Sequence, residues 1–307
     1  MGSFKGLRLD GIHHVTSITG DAQANVDFYA GTLGLRLVKK TVNQDDPTVY
    51  HLFYGDDKGS PGLDLTFFEY PGARPGRAGH GMIHRIVMRV GSDAAIDFWQ
   101  ERVRGERSGG SLVFSDPEGL GLELRHVETE DEPLTATHPE IPAEYAIQGF
   151  EEVRAYTADP QRSRALFEGA MAFEKDGGMS WIARGATRGG RYVFDPAPPA
   201  PGVPGAGTVH HVAWASLDDE QLTWRDRVMK AGASPTPVID RYWFKSVYFR
   251  EPSGVLFEIA TMGPGFAVDE DPEHLGERLI LPPRFEHLRD RLEVTLTPVH
   301  APASARA

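Results

Sequence analysis

The tripeptide His-His-Val occurs twice in this chain, at residues 13–15 and 210–212. The first copy lies in GIHHVTSIT (11–19), and the second lies in GTVHHVAWA (207–215). Both segments are rich in apolar and β-branched residues and begin at a glycine, which predicts β-strands. The segment SVYFREPSGVLFEIA (246–260) has the same character and contains Glu258. Two imidazoles and one carboxylate on neighbouring strands can hold a metal on one face and leave other positions open, an arrangement suited to Fe(II) and O₂ chemistry.

Strand and helix patterns repeat along the chain. Residues 8–69 predict the order β-α-β-β-β, with Asp21 capping the helix and Gly34 ending it. Adding 138 to this unit places Asp21 on Asp159, and SLVFSDPEGLGLEL (111–124) aligns with SVYFREPSGVLFEI (246–259) at an offset of 135. The sequence therefore predicts an α+β fold of four tandem βαβββ modules that form two half-barrel domains.

Composition shifts divide the chain into four predicted segments. Residues 1–127 hold modules 1 and 2, and residues 146–265 hold modules 3 and 4. The acidic, proline-containing stretch 128–145 between them is typical of a linker, and residues 266–307 form a C-terminal extension.

The repeat also predicts what occupies the metal-ligand positions in each module. Module 1 offers His14 and Thr66, and module 4 offers His211 and Glu258. Only these two modules together supply two imidazoles and a carboxylate, so we expect them to meet. The corresponding residues of modules 2 and 3 are Arg85, Glu123 and Glu152. We expect Arg85 to pair with Glu123 or Glu152 and to fill the second cavity without metal, although unrelated surface charges are an equal alternative.

Composition excludes several classes of function. The formal net charge of −12 argues against nucleic acid or an anionic membrane as a partner. The chain has no cysteine, which excludes disulfides, thiolate nucleophiles and iron–sulfur clusters. No apolar run approaches the ~20 residues of a membrane-spanning helix, and the N-terminus lacks a signal-peptide core. We expect a cytoplasmic protein, with a homodimer as the default oligomer.

Five segments resemble one known group of proteins. They are GIHHVTSITGDAQANVDFYAGTLGLRLVKKTVNQDD, YHLFYGD, VHHVAWA, LFEIAT and GFAVDEDPEHLG. The repeats resemble the vicinal oxygen chelate superfamily, which includes glyoxalase I, bleomycin-resistance proteins and extradiol dioxygenases. Within it, the order and spacing of the five segments resemble ring-cleaving dioxygenases that act on para-hydroquinones, over roughly residues 9–290.

The resemblance implies a site and a reaction. Fe(II), with Mn(II) as an alternative, is implied to be held by His14, His211 and Glu258, and the partners are implied to be a small hydroquinone-type or catechol-type aromatic and O₂. The residues implied to surround the ring are Thr16, Arg241, Tyr248, His13 and His210.

Chemical roles follow for these surrounding residues. Arg241 is suited to stabilise negative charge on substrate or activated oxygen, and Tyr248 and the neighbouring histidines are suited to move a proton. Adjacent strand residues point to opposite faces, so His13 and His210 cannot share the direction of His14 and His211 without a local bulge. Seven other histidines have no paired spacing and are interpreted as structural or exposed: His51, His80, His84, His126, His138, His287 and His300.

Two rival functions stay open on the sequence alone. A glyoxalase-like isomerase or lyase would use Zn(II) or Ni(II) with a fourth protein ligand, and Thr66 stands where one would be expected. A metal-free binding protein that sequesters a drug would not need His14, His211 and Glu258 to converge.

Overall fold

The computed structural model describes residues 6–301 and consists of four βαβββ modules followed by a C-terminal extension. Module 1 contains β1 (Ile12–Thr19), α1 (Ala22–Val26) continued by a π-helical turn (Asp27–Thr32), β2 (Arg36–Val42), β3 (Tyr50–Gly55) and β4 (Asp64–Glu69). Module 2 contains β5 (Ile83–Val90), α2 (Asp93–Arg102), β6 (Glu106–Ser108), β7 (Ser111–Ser115) and β8 (Gly121–His126).

The second half of the chain repeats this order. Module 3 contains β9 (Phe150–Thr157), α3 (Gln161–Arg164) continued by a π-helical turn (Ala165–Ala170), β10 (Glu174–Lys175), β11 (Ser180–Arg184) and β12 (Gly189–Pro196). Module 4 contains β13 (Thr208–Ser216), α4 (Gln221–Lys230), β14 (Ile239–Asp240), β15 (Lys245–Arg250) and β16 (Leu256–Thr261). The described part of the extension, residues 266–301, contains four short helices: Phe266–Val268, Pro272–His274, Pro283–Leu288 and α5 (Arg289–Thr295). The predicted α+β fold of four modules in two half-barrels is confirmed.

Each eight-stranded sheet joins one module from each half of the chain. The first sheet has the order β14-β15-β16-β13-β1-β4-β3-β2, and the second has the order β10-β11-β12-β9-β5-β8-β7-β6. Modules 1 and 4 therefore form one sheet, and modules 2 and 3 form the other. The division into 1–127, 128–145, 146–265 and 266–307 stays a prediction, and both sheets cross it.

Local sequence explains the start and packing of the helices. The Asp21 side chain accepts a hydrogen bond from the Ala24 backbone amide, which confirms the predicted cap. Ser92 caps α2 in the same way through Ala95. The helices bury Trp99 and Trp224 against the sheets, and all five tryptophans of the chain are at most 1% exposed. Burying large aromatic rings on one face of each sheet leaves the opposite, concave face available for polar side chains.

The part of the chain that the structure describes contains no helix long and apolar enough to span a membrane. The cytoplasmic location and the homodimer stay predictions.

Candidate metal centre

The two central strands of the first sheet each carry a β-bulge at a histidine. β1 and β13 are antiparallel, with Ile12 opposite Trp214, His14 opposite Ala213, Thr16 opposite His211 and Ser17 opposite Val209. His13 and His210 are the residues left out of this pairing. A bulge inserts one residue, bends the strand and redirects its side chains, and bulges are frequent beside active sites. The local bulges that the His-His pairs were predicted to require are therefore present.

His14, His211 and Glu258 converge at the centre of this sheet. Nε2 of His14 lies 3.2 Å from Nε2 of His211, and each of these nitrogens lies 3.0 Å from Oε2 of Glu258. The three side chains are buried, and Glu258 is fully so. Within residues 6–301, they form the one group of three or more His, Asp or Glu side chains with ligand atoms close enough to share an ion. The predicted convergence of modules 1 and 4 is confirmed.

The separations between these atoms fit a metal ion. Bonds of about 2.1 Å at right angles place two ligand atoms about 3.0 Å apart, whereas tetrahedral angles would place them about 3.4 Å apart. The observed separations of 3.0, 3.0 and 3.2 Å fall within the range expected for three atoms that bind one ion. Neither carboxylate oxygen of Glu258 has a hydrogen-bond partner among the described residues. A buried carboxylate facing two ring nitrogens without a hydrogen bond is the donor set that a cation satisfies.

The protonation states of His211 and Glu258 favour metal binding. Burial lowers the pKa of His211, which keeps its imidazole neutral. Burial opposes ionisation of Glu258, yet the adjacent imidazoles hold the pKa of its carboxyl well below the ordinary value. Neutral imidazole and ionised carboxylate are the forms that bind metal ions.

His13 and His210 contact the two ligand histidines from behind. Nε2 of His13 lies 3.1 Å from the Thr261 carbonyl, and a carbonyl accepts only, so this nitrogen carries the proton. Nδ1 of His13 then accepts from Nδ1 of His14 at 2.9 Å, which leaves Nε2 of His14 with a free lone pair. Nδ1 of His210 lies 2.8 Å from Nδ1 of His211. Hydrogen bonds of this kind fix the tautomer and orientation of a metal ligand.

Burial keeps these two supporting histidines neutral. Burial and the neighbouring His14 lower the pKa of His13 to about 3. Burial and His211 lower the pKa of His210 to about 4. A neutral His13 can accept a hydrogen bond at Nδ1 while donating one from Nε2, as its contacts require.

A small cavity of about 30 Å³ lies beside the metal-ligand residues, with room for about two water molecules. Its walls are largely aromatic, with Phe53, Phe68, Trp243, Phe244 and Tyr248 among them. Arg241 also lines it and makes two hydrogen bonds of 2.9 Å to the carboxylate of Asp45 at the mouth. Burial raises the pKa of Tyr248, so its hydroxyl keeps its proton. A larger cavity of about 510 Å³ lies elsewhere, against the C-terminal extension, and none of the three metal-ligand residues lines it.

Thr16 and Thr66 connect the metal-ligand residues to a histidine that the sequence did not single out. Oγ1 of Thr16 lies 3.0 Å from Nε2 of His211 and 2.7 Å from Oγ1 of Thr66. Oγ1 of Thr66 lies 2.9 Å from Nε2 of His51, which lines the cavity. His51, which was interpreted as structural or exposed, lies in the cavity wall and hydrogen-bonds Thr66. The alternation of β3 contained the signal, because His51 and Phe53 share a face.

The second sheet repeats the bulges without the metal ligands. His84 and Glu151 are the residues left out of the β5–β9 pairing, at the positions of His13 and His210. Arg85 bonds Glu123 at 3.1 Å, which confirms the predicted ion pair. Glu152 binds Arg125 and Arg154, and Arg154 also binds Asp195. Three guanidinium groups thus meet three carboxylates, and the cluster is neutral without an ion.

Comparisons with known proteins agree with this geometry. A family model described as the Glyoxalase/Bleomycin resistance protein/Dioxygenase superfamily matches residues 11–124 and 93–259. MhqO of Bacillus subtilis (strain 168), by name a ring-cleaving dioxygenase, is 43% identical over 301 residues, which cover 94% of this chain and 96% of that protein. The chlorohydroquinone/hydroquinone 1,2-dioxygenase of Sphingobium indicum is 32% identical over 313 residues, which cover 94% and 96%.

Solved structures give the same result for the fold. The crystal structure of a Bacillus subtilis protein described as a dioxygenase superposes with a TM-score of 0.89 at 40% identity, covering 97% of this chain and 99% of that one. Glyoxalase I from Zea mays has a TM-score of 0.59 at 17% identity, covering 82% and 92%, and shares the fold alone. The chain is therefore a member of the glyoxalase/bleomycin resistance protein/dioxygenase superfamily and belongs to its ring-cleaving dioxygenases.

Proposed function

We propose that the protein is an Fe(II)-dependent dioxygenase that opens the ring of a hydroquinone-type aromatic, with catechol-type rings as the second substrate class. The observation that carries this proposal is the convergence of His14, His211 and Glu258, with ligand atoms 3.0–3.2 Å apart, beside an aromatic cavity. The name of the Sphingobium indicum relative supports a para-diol as substrate. Mn(II) accepts the same ligands and is the alternative metal.

The metal-ligand residues would hold the ion, and the ion would supply the redox chemistry that joins O₂ to the ring. The chain's own residues have four tasks. The aromatic walls orient the ring. Arg241 offers a fixed positive charge to an anionic oxygen of the substrate. Tyr248 keeps its proton through burial and can donate a hydrogen bond to the same oxygen. Thr16 lies against His211 and presents a hydroxyl beside the ligand atoms.

Geometry disfavours both rival functions. A glyoxalase-like isomerase would need a fourth protein ligand, but Thr66 is the residue at that position, and its hydroxyl bonds to Thr16 and His51. The ligand cluster within residues 6–301 contains three side chains. A metal-free drug-binding protein has no need for two buried imidazoles and a carboxylate to meet.

The test is metal content and O₂ uptake on protein purified without oxygen. We expect about one iron per chain, uptake of one O₂ per hydroquinone consumed, and both atoms of ¹⁸O₂ in the ring-opened product. Catechol in place of hydroquinone measures the choice between para- and ortho-diols.

Two equivalent carboxylates provide a matched pair of variants. Glu258→Gln removes a ligand of the proposed site and should abolish uptake. Glu123→Gln changes the corresponding residue of the second sheet, which binds Arg85 and Arg125, and should leave uptake intact. Stoichiometric zinc or nickel with no uptake would refute the proposal, and so would full activity in Glu258→Gln.

A further inference from the structure

Trp243 forms one wall of the cavity and is held from behind. It lies in the loop between β14 and β15 and lines the cavity together with His14 and His211. The preceding residue, Tyr242, has φ of 74°, a strained conformation for a residue with a side chain. Such strain persists only where the surroundings fix the backbone, and it is concentrated at functional sites.

The partly buried carboxylate of Asp269 and the buried ammonium of Lys39 hold the indole. Nε1 of Trp243 donates to both oxygens of Asp269, at 3.1 and 3.0 Å. Nζ of Lys39 donates to Asp269 at 2.8 Å, to the Phe266 carbonyl at 3.2 Å and to the carboxylate of Glu270. These contacts use all three hydrogens of the ammonium group. The same nitrogen lies 5.1 Å from the ring centre of Trp243, within cation–π range.

The three parts of this network come from distant parts of the chain. Lys39 is on β2 of module 1, Trp243 is in module 4, and Asp269 and Glu270 are in the C-terminal extension. The Lys39 side chain is fully buried. Taking an ammonium out of water is costly unless its hydrogen bonds are all made, and a fully satisfied buried network is rigid. The network therefore fixes where one aromatic ring stands beside the metal-ligand residues.

The need to bury an indole N–H does not explain this arrangement. Trp214 is also fully buried, and its Nε1 has no partner among the described residues. The core of this protein thus accommodates an unpartnered indole. At Trp243, a charge pair from two other parts of the chain sets the ring's orientation instead.

We propose that Lys39 and Asp269 are positioning residues that hold Trp243 as the stacking surface for the aromatic ring of the substrate. The inference rests on the proposed function, because it needs an aromatic ring in this cavity. Aromatic pairs contribute an affinity factor of about 2- to 12-fold beyond simple burial. This factor is the effect that loss of the ring should produce.

The test is a double-mutant cycle on hydroquinone binding to the iron-loaded protein in the absence of oxygen. Calorimetry and tryptophan fluorescence measure the binding. Trp243→Leu should weaken hydroquinone binding about 2- to 12-fold and remove the fluorescence quenching that hydroquinone produces. Asp269→Asn should weaken binding less, and its effect should disappear in the Trp243→Leu background. In steady state, both changes should raise KM more than they lower kcat.

Lys40→Met is the matched control. Lys40 is the neighbour of Lys39 on β2, but it reaches the Glu277 carbonyl at 3.3 Å and lines the larger cavity. We expect hydroquinone affinity to be unchanged in this variant. Thermal unfolding checks that each variant is folded. Trp243→Phe, which keeps an aromatic ring and needs no carboxylate, replaces Asp269→Asn if that variant does not fold, and it should keep most of the affinity.

Distinct outcomes overturn the inference and the proposed function. Wild-type affinity in Trp243→Leu, or an equal effect of Asp269→Asn in both backgrounds, would overturn the positioning role alone. If the wild-type protein neither binds hydroquinone nor consumes O₂ with it, the proposed function fails and this inference fails with it.

Discussion

Glu258 is a carboxylate whose burial costs free energy in the absence of a cation. It is fully buried, neither oxygen has a hydrogen-bond partner among the described residues, and the nearest groups are two imidazole nitrogens at 3.0 Å. The contacts of His13 leave Nε2 of His14 without a hydrogen. Glu258→Gln removes the charge at nearly constant shape, and its amide can donate to this nitrogen. We therefore predict that the change stabilises the metal-free protein.

The size of this effect follows from the burial of the charge. Replacing a buried ion pair by well-packed apolar residues is neutral or stabilises a protein by up to about 4 kcal/mol, and about 1–3 kcal/mol is expected for removing the single buried charge of Glu258. For a chain of this size, each kcal/mol raises Tm by about 2 °C, so the expected rise is about 2–6 °C. Added metal favours the wild-type protein over Glu258→Gln, because the variant lacks one of the proposed ligands. Fe(II) at 100 times Kd stabilises the wild-type protein by about 2.7 kcal/mol, or roughly 5 °C, while a variant that binds 100-fold more weakly gains about 0.4 kcal/mol.

The assay is anaerobic thermal unfolding with and without Fe(II). We expect Glu258→Gln to unfold at the higher temperature after treatment with a chelator, and Fe(II) should reduce this lead by about 2.3 kcal/mol, or roughly 5 °C. Glu123→Gln is the control, because it removes the partner of Arg85 and Arg125 and should lower Tm in both conditions. A metal-free Glu258→Gln protein less stable than the wild type would refute the reasoning. That result would mean that Glu258 is a structural ion-pair partner of protonated histidines.

Two further predictions concern ion pairs outside the metal-ligand residues. The 30 Å³ cavity is too small for an aromatic ring, so entry of the substrate requires the turn that carries Asp45 to separate from Arg241. Asp45→Asn should speed hydroquinone association in stopped-flow fluorescence, and high salt should do the same for the wild-type protein. An association rate unchanged in both experiments would contradict this gate. Asp131 is buried, which opposes its ionisation, but Arg184 and Arg89 lower its pKa to about 2. Because this pKa is depressed, the contribution of the Asp131 carboxylate to stability is present above about pH 4 and is lost as pH falls toward 2. Asp131→Asn should cost about 3–5 kcal/mol of unfolding free energy at pH 7 and should flatten the dependence of stability on pH between 4 and 2. An unchanged acid-unfolding profile in this variant would contradict the prediction.

Short-range patterns were sufficient to predict the modules. The strand alternation, the Asp21 cap and the turn glycines depend on residues close together in the chain, and each module has the predicted order. The candidate metal ligands were also predictable, because duplication placed the same tripeptide on equivalent strands and left one carboxylate, Glu258, at the matching position.

Residues that act through distant partners were not predictable in the same way. His51 gains its place in the cavity through Thr66 on the adjacent strand. Lys39 looks like an exposed strand lysine in sequence, yet its partners lie about 230 positions later in the extension. No local pattern encodes such pairs, because they depend on how β2 packs against a segment that has no repeat equivalent.

The two sheets share their backbone bulges but differ in the charges of the side chains that those bulges bring together. Both carry bulges at equivalent positions, so both aim three side chains from three strands at one point. In the second sheet, Arg85, Arg125 and Arg154 face Glu123, Glu152 and Asp195, and the charges cancel. In the first sheet, His14 and His211 face one buried carboxylate, and no guanidinium of the described residues bonds Glu258. The backbone supplies the convergence in both cases, and the absence of a guanidinium beside Glu258 is what leaves a cation as the natural partner of the first.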